Sequence, residues 1–240
     1  MKLVVITDVH ANLPALEAAL AQIRRGGYDL LVHTGDAIGI GPQPAECLDL
    51  LLQTPHIRFV RGNHDDWFAR GLPRPQPKWM SDGEVAHQQW THAQIDPGLR
   101  PVVSAWPWVV EEEVARVRTT FVHYPLDASH TRFQPFVQDP SAADLDRLFA
   151  NHRGRLAFFG HDHNFYDVRG QAHYVNPGSL GCHDRPVARY TVVEIASGEA
   201  EVTHRAAPYE DGPLYTAFEE RDVPERAFIY RNFQGGRFPP

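Results

Sequence analysis

The sequence is poor in cysteine, with two residues, Cys47 and Cys182, among 240. They lie far apart and neither belongs to a C-x-x-C pair. That excludes a disulfide framework and a thiolate metal site, and it reads as ordinary reduced thiols. No apolar run approaches the roughly 20 residues of a membrane span. The opening stretch, MKLVVITDVHANL, has one Lys and a short apolar run broken by Asp8 and His10. That is no secretory signal, and a cytoplasmic protein is expected. An excess of positive charge is also missing. The net charge of -7 argues against a protein that coats nucleic acid. It is compatible with a phosphate-bearing substrate, because bound cations reverse a local field. There is no repeat of fixed period and no low-complexity segment.

What is present suits a globular protein with a sizeable core: 42% hydrophobic and 22% charged residues. LVVIT (3–7), DLLVHT (29–34) and IRFV (57–60) read as short buried strands. Leu13, Leu16, Leu20 and Ile23 recur at helical spacing, stopped by Gly26 and Gly27. A second helix fits 44–53. This alternation predicts an α/β sheet with parallel strands. The Pro-rich region 66–106 breaks the rhythm, with one helix starting at a Ser81–Glu84 capping box. Two strands follow within 108–123, around the charged run Glu111 to Glu113. A helix capped by Ser141 and Asp144 comes next. Strands are expected at 155–160, 172–176, 189–195 and 199–205, the last two forming a hairpin at Ser197-Gly198. The final thirty or so residues show no clear pattern.

The ends of the apolar runs carry the chemistry. LVVIT leads to Asp8-Val9-His10, and DLLVHT to Gly35-Asp36. IRFV leads to Arg61-Gly62-Asn63-His64-Asp65, TTFV to His123, and LAFF to Gly160-His161-Asp162-His163. One such residue at a strand end is more often a turn cap than a ligand. Five ends that all deliver Asp, Asn or His point to one site at the carboxyl edge of a sheet. Residues two apart in an extended chain face the same side, which would bring Asp8 to His10 and His161 to His163. Imidazoles, carboxylates and an amide, with no thiolate, suit Mn, Fe, Zn, Co or Ni better than Mg or Ca. Seven candidate ligands exceed the need of one ion. Two divalent transition-metal ions sharing a carboxylate are therefore expected, a pair that can clamp both oxygens of an in-line displacement.

The ordered set Asp8-x-His10, Gly35-Asp36, Gly62-Asn63-His64-Asp65, His123 and Gly160-His161-x-His163 resembles the calcineurin-like metallophosphoesterases. The resemblance spans about residues 1–205 and includes Asn176-Pro177-Gly178-Ser179, common in small bacterial members. It implies a four-layer αββα sandwich of two mixed β-sheets flanked by helices. By position, the first metal would be held by Asp8, His10, Asp36 and His163. The second would be held by Asp36, Asn63, His123 and His161, with Asp36 bridging. His64 would be a general acid facing substrate, and a metal-bridging hydroxide the nucleophile. Protein serine/threonine phosphatases of this superfamily continue the second motif with a further Asp and Arg. Here it runs Gly35-Asp36-Ala37-Ile38-Gly39-Ile40-Gly41-Pro42, so both are missing, and what orients His64 is open.

The expected organisation is a metallophosphoesterase domain over 1–205 with an inserted helical cap at 66–106 above the site. A C-terminal extension, 206–240, packs on the same domain. The expected function is hydrolysis of a phosphomonoester or phosphodiester of a small molecule such as a nucleotide. The alternatives are a protein phosphatase and a non-catalytic scaffold of the same fold. Of the other histidines, His33 should pack inside its strand. His56, His87, His92, His152, His173 and His204 should lie at or near the surface, while His130 and His183 are candidates to overhang the site. The five tryptophans, all between Trp67 and Trp108, should mostly anchor the insertion. Cys182 should be incidental.

Overall fold

The computed structural model describes residues 1–237. Strands β1 (Lys2–Ile6), β2 (Leu30–His33) and β3 (Ile57–Phe59) pair in parallel, linked by helices α1 (Leu13–Gly26) and α2 (Pro44–Leu52). The long hairpin of β9 (Val187–Ala196) and β10 (Glu199–Pro208) joins them antiparallel, giving the order β10-β9-β1-β2-β3. The second sheet contains β4 (Val109–Val114), β5 (Val117–Val122), β6 (Leu156–Phe158), β7 (Phe165–Arg169) and β8 (His173–Pro177). Its order is β4-β5-β6-β8-β7, parallel in the middle and antiparallel at both edges.

The pleat decides the layering. In β1, Val4 and Ile6 pack with Leu16 and Leu20 of α1 and Leu48 and Leu51 of α2. Leu3 and Val5, on the other face, meet Phe121, Phe158 and Val175 of the second sheet. The outer face of that sheet, through Phe159 and Tyr174, is covered by Leu145 and Leu148 of α6 (Ala142–Leu148). The result is helix, sheet, sheet, helix, as the resemblance implied.

The remaining helices follow the sequence reading only in part. Asn63 and His64 open helix α3 (Asn63–Arg70), which the sequence did not mark because its polar start hides its apolar face. α4 (Asp82–Ala93) begins where expected, with Ser81 Oγ accepting from the Glu84 amide. A 3-10 turn at Pro97–Leu99 and the short α5 (Arg100–Ser104) complete the insertion. β7 went unforeseen because it is a half-exposed edge strand with no apolar run. The patternless end holds α7 (Gly212–Glu220) and α8 (Arg226–Phe233). They bury Leu214, Phe218 and Ile229 against Ile40 and Cys182. Residues 238–240 of the expected extension lie outside the described residues. Among the described residues no helix is long and apolar enough to cross a membrane.

Candidate metal centre

The five residue groups follow β1, β2, β3, β5 and β6, which all run parallel within their sheets. Their carboxyl ends meet at one edge of the sandwich. The local backbone is not extended there, which corrects the reason given for pairing residues two apart. Asp8, His10, Asp36, His161 and His163 all adopt positive φ, between 48° and 78°. Left-handed backbone costs a non-glycine residue about 1–2 kcal/mol, and such residues cluster at functional sites. Asp and His tolerate it better than most. Tight left-handed turns, rather than the pleat, aim these side chains inward.

Two donor sets result. In the first, His10 Nε2 lies 2.8 Å from His163 Nε2, 3.6 Å from Asp8 Oδ1 and 3.8 Å from Asp36 Oδ2. In the second, His123 Nε2 lies 3.2 Å from Asp36 Oδ2 and 3.1 Å from Asn63 Oδ1, and His161 Nδ1 lies 3.0 Å from the same Asn63 oxygen. All seven predicted ligands are thus brought together, with Asp36 Oδ2 common to both sets. Ligand atoms about 2.0–2.1 Å from one ion fall about 3 Å apart, which matches these contacts.

The tautomers test the fit. His10 Nδ1 faces the Ile38 carbonyl at 3.2 Å, and His123 Nδ1 faces the Thr34 carbonyl at 3.0 Å. A carbonyl only accepts, so each Nδ1 carries the proton and each Nε2 presents a lone pair. Those lone pairs converge on carboxylate and amide oxygens, an arrangement that calls for a cation. Without one, a proton must serve. Burial alone would lower His123, yet the Asp36 carboxylate beside it holds it at about 9. The same imidazoles overcome burial to keep Asp36 well below the usual carboxylate range. His161, at about 4, and His163, at about 3, are held neutral chiefly by burial, as ligands must be.

A second set of residues holds the candidate ligands in place. Asp65 accepts from the backbone amides of Asp36 (2.8 Å), Ala37 (3.0 Å) and Gly62 (2.9 Å), tying the β2 turn to the start of α3. Burial, with the Asp36 carboxylate nearby, raises Asp65 to about 7. The Asn176–Ser179 loop supports the opposite side. Ser179 Oγ donates to the Asp8 carbonyl at 2.7 Å, and Asn176 Nδ2 to the Gly160 carbonyl at 3.1 Å. At Gly62 a side chain is barred by space rather than by backbone angle, because a Cβ would collide with the Asp36 carboxylate.

The calcineurin-like phosphoesterase superfamily domain matches residues 1–198. The chain belongs to that superfamily. Its sequence is similar to an uncharacterized protein of Methanocaldococcus jannaschii, 25% identical over 190 residues, 74% of this chain and 75% of that one. It is also similar to serine/threonine-protein phosphatase 1 of Salmonella typhimurium, 26% identical over 188 residues, 73% of this chain and 86% of that one. Among solved structures it resembles a metallophosphoesterase from Sphaerobacter thermophilus (TM-score 0.73, 25% identity, 96% of this chain and 97% of that one). A hypothetical protein from Pyrococcus horikoshii OT3 shares the fold (TM-score 0.81, 18% identity, 98% and 99% covered).

In this member of the calcineurin-like phosphoesterase superfamily a pocket of about 480 Å³ opens beside the candidate metal centre, where Asp36, Asn63, His161 and His163 form part of its wall. His64 stands over it with Nε2 3.9 Å from Asp36 Oδ2. Gln88 of α4 answers what orients His64, since its amide nitrogen lies 2.9 Å from His64 Nδ1. Trp67 packs on the same ring at 4.8 Å. Neither partner was legible in sequence, because a Gln on a helix carries no motif. Trp79, 66% exposed, lines the pocket, while Trp106 is buried and stacked on Phe59, so packing accounts for most but not all of the tryptophans.

Expectations about four single residues change. His87 is buried and lines the pocket, whereas His130 and His183 do not. α8 contributes Phe228, Ile229 and Phe233 to the wall, although no sequence signal marked it. Cys182 Sγ lies within 4.8 Å of ligand nitrogens of His10 and His163, so it is a neighbour of the centre. Burial raises its thiol far above the ordinary value, so it stands there as a protonated thiol.

Proposed function

We propose that this protein hydrolyses a phosphomonoester or phosphodiester of a small molecule with the help of two divalent transition-metal ions. The observation that carries the reading is the pair of donor sets sharing Asp36 Oδ2. Asp8, His10, Asp36 and His163 would hold one ion, and Asp36, Asn63, His123 and His161 the other. Two such ions supply Lewis acidity toward the phosphoryl oxygens and an activated water.

The chain's own residues do the rest. Gln88 donates to His64 Nδ1, which leaves the proton of the neutral ring on Nε2, the nitrogen that faces Asp36. Burial lowers His64 to about 3, against the pull of Asp36, so the ring would serve as general acid by taking up a proton once the phosphoryl group is bound and passing it from Nε2 to the departing alkoxide, which leaves as the alcohol, help typically worth about 10²–10⁴-fold. Mn, Fe, Zn, Co and Ni all fit this nitrogen and oxygen set. The two buried free thiols accord with a reducing, cytoplasmic location.

The Salmonella typhimurium relative favours a second reading, a protein phosphatase. Two features weigh against it. The motif after Asp36 lacks the additional Asp and Arg, and among the described residues no Arg or Lys lines the pocket. Seven converging candidate ligands together with an oriented His64 favour catalysis over a non-catalytic scaffold. The test is a panel of phosphoesters and a phosphopeptide with purified protein and added Mn. Hydrolysis of small esters supports the reading. Hydrolysis of the phosphopeptide alone, or of nothing, contradicts it.

A further inference from the structure

The pocket beside the metal centre has a one-sided chemistry. Part of the wall is apolar and aromatic, built from Trp79 and from Phe228, Ile229 and Phe233 of α8. Trp79 and Phe228 are among the few large apolar side chains left exposed, at 66% and 53%. The charged side chains between these rings are acidic. Glu84 and Glu225 both line the pocket, and among the described residues neither carboxylate has an ion pair or a side-chain hydrogen bond.

His87, behind this wall, adds no positive charge to it. Its Nδ1 lies 3.1 Å from the Pro224 carbonyl, which can only accept, so Nδ1 carries the proton. Nε2 is then a bare lone pair, and it is buried with no partner on a side chain only 5% exposed. Burial holds this imidazole at about 4, so it stays neutral and accepting at neutral pH. The buried Gln88 Oε1 also lacks a partner. Buried polar atoms are normally satisfied, and the exceptions call for an explanation.

We infer that this pocket holds the alcohol portion of a small phosphoester that is neutral or cationic, bears N–H or O–H donors and a flat or apolar face, and carries no second phosphate. The metal centre takes the one phosphoryl group. A further phosphate in the pocket would face Glu84 and Glu225 with no Lys or Arg to neutralise it. Donors on the alcohol would meet Glu84 and Glu225, and its flat face would meet Trp79 and Phe228. A nucleoside and an amino alcohol share this chemistry. The inference rests on the phosphoesterase reading and narrows its substrate class.

Two matched pairs test it on the Mn-loaded full chain. One pair is a nucleoside monophosphate and the same nucleoside with a second phosphate on its ribose. The other is phosphoethanolamine and phosphoglycolate. The expected result is that kcat/KM favours the less anionic member of at least one pair by about tenfold or more. The pair with the higher absolute kcat/KM identifies the alcohol as nucleoside or amino alcohol. E84Q combined with E225Q should shrink that preference to about threefold or less, with metal content checked alongside. If no ester is turned over, the phosphoesterase reading fails. Equilibrium binding of the same four esters then reads the preference without catalysis. Equal or inverted preference, or a preference unchanged in the double variant, overturns the inference.

Discussion

Replacing Gln88 by Leu separates the orienting role of this residue from that of His64. Gln88 is buried, and its single side-chain hydrogen bond goes to His64 Nδ1 at 2.9 Å. One neutral hydrogen bond is worth about 1 kcal/mol net, or roughly fivefold in rate if it acts only in the transition state. Removing His64 itself should cost about 10²–10⁴-fold. Both losses should appear on an alkyl or nucleotide ester, whose basic alkoxide must be protonated as it leaves. A nitrophenyl ester, with a weakly basic leaving group, should be comparatively spared. If Gln88 acts through His64, His64→Ala and the double variant should be equally slow on the alkyl ester. Independent action would make the double variant about fivefold slower still. The assay is kcat on the two esters for wild type, both single variants and the double variant, with metal content measured in each. Multiplying losses, or equal losses on both esters, would refute the reasoning. Loss of metal in His64→Ala would place His64 among the ligands.

Two further outcomes follow from buried groups. Asp65→Asn leaves at least one of three buried backbone amides facing an N–H in place of an oxygen, so it should destabilise the fold by about 1–3 kcal/mol in denaturant unfolding and reduce metal retention; an unchanged unfolding midpoint would argue against the clamp. His33 is fully buried and depressed by that burial from 6.5 to about 3. The unfolded chain therefore takes up the proton first as pH falls, and the stability present above about pH 6.5 is lost below it at about 1.4 kcal/mol per pH unit. His33→Leu should remove that slope, changing its stability relative to wild type by about 2 kcal/mol between about pH 7 and pH 5 in chelator-treated protein. A constant difference would mean that His33 does not titrate on unfolding.

Much of the centre was legible because metal chemistry demands particular side chains at strand ends, and Asp8, His10, Asp36, Asn63, His123, His161 and His163 all stand in short motifs. β1, β2, α1 and α2 were legible for a simpler reason: their apolar residues repeat at strand or helical spacing. What aims the ligands was not. The sequence suggested the alternation of an extended chain, whereas left-handed turns at Asp8, His10, His161 and His163 do the aiming. Positive φ leaves little trace in residue type when the residue is chosen for its ligand atom. Supporting residues were hidden too. Gln88 is an ordinary helical residue until α4 packs beside His64, and Glu225 and Phe228 reach the pocket only because α8 folds back over Ile40 and Cys182. Long-range packing made those contacts, and no local pattern encodes it.

The central claim is that two cations share Asp36, and elemental analysis of protein purified with Mn supplied and no chelator tests it most directly. The account predicts two transition-metal ions per chain. Asp36→Asn should lower occupancy of both sites, because Oδ2 lies 3.8 Å from His10 Nε2 and 3.2 Å from His123 Nε2. His10→Ala should mainly empty one. One ion or none in the wild-type protein, or an Asp36→Asn variant that keeps both, would contradict it.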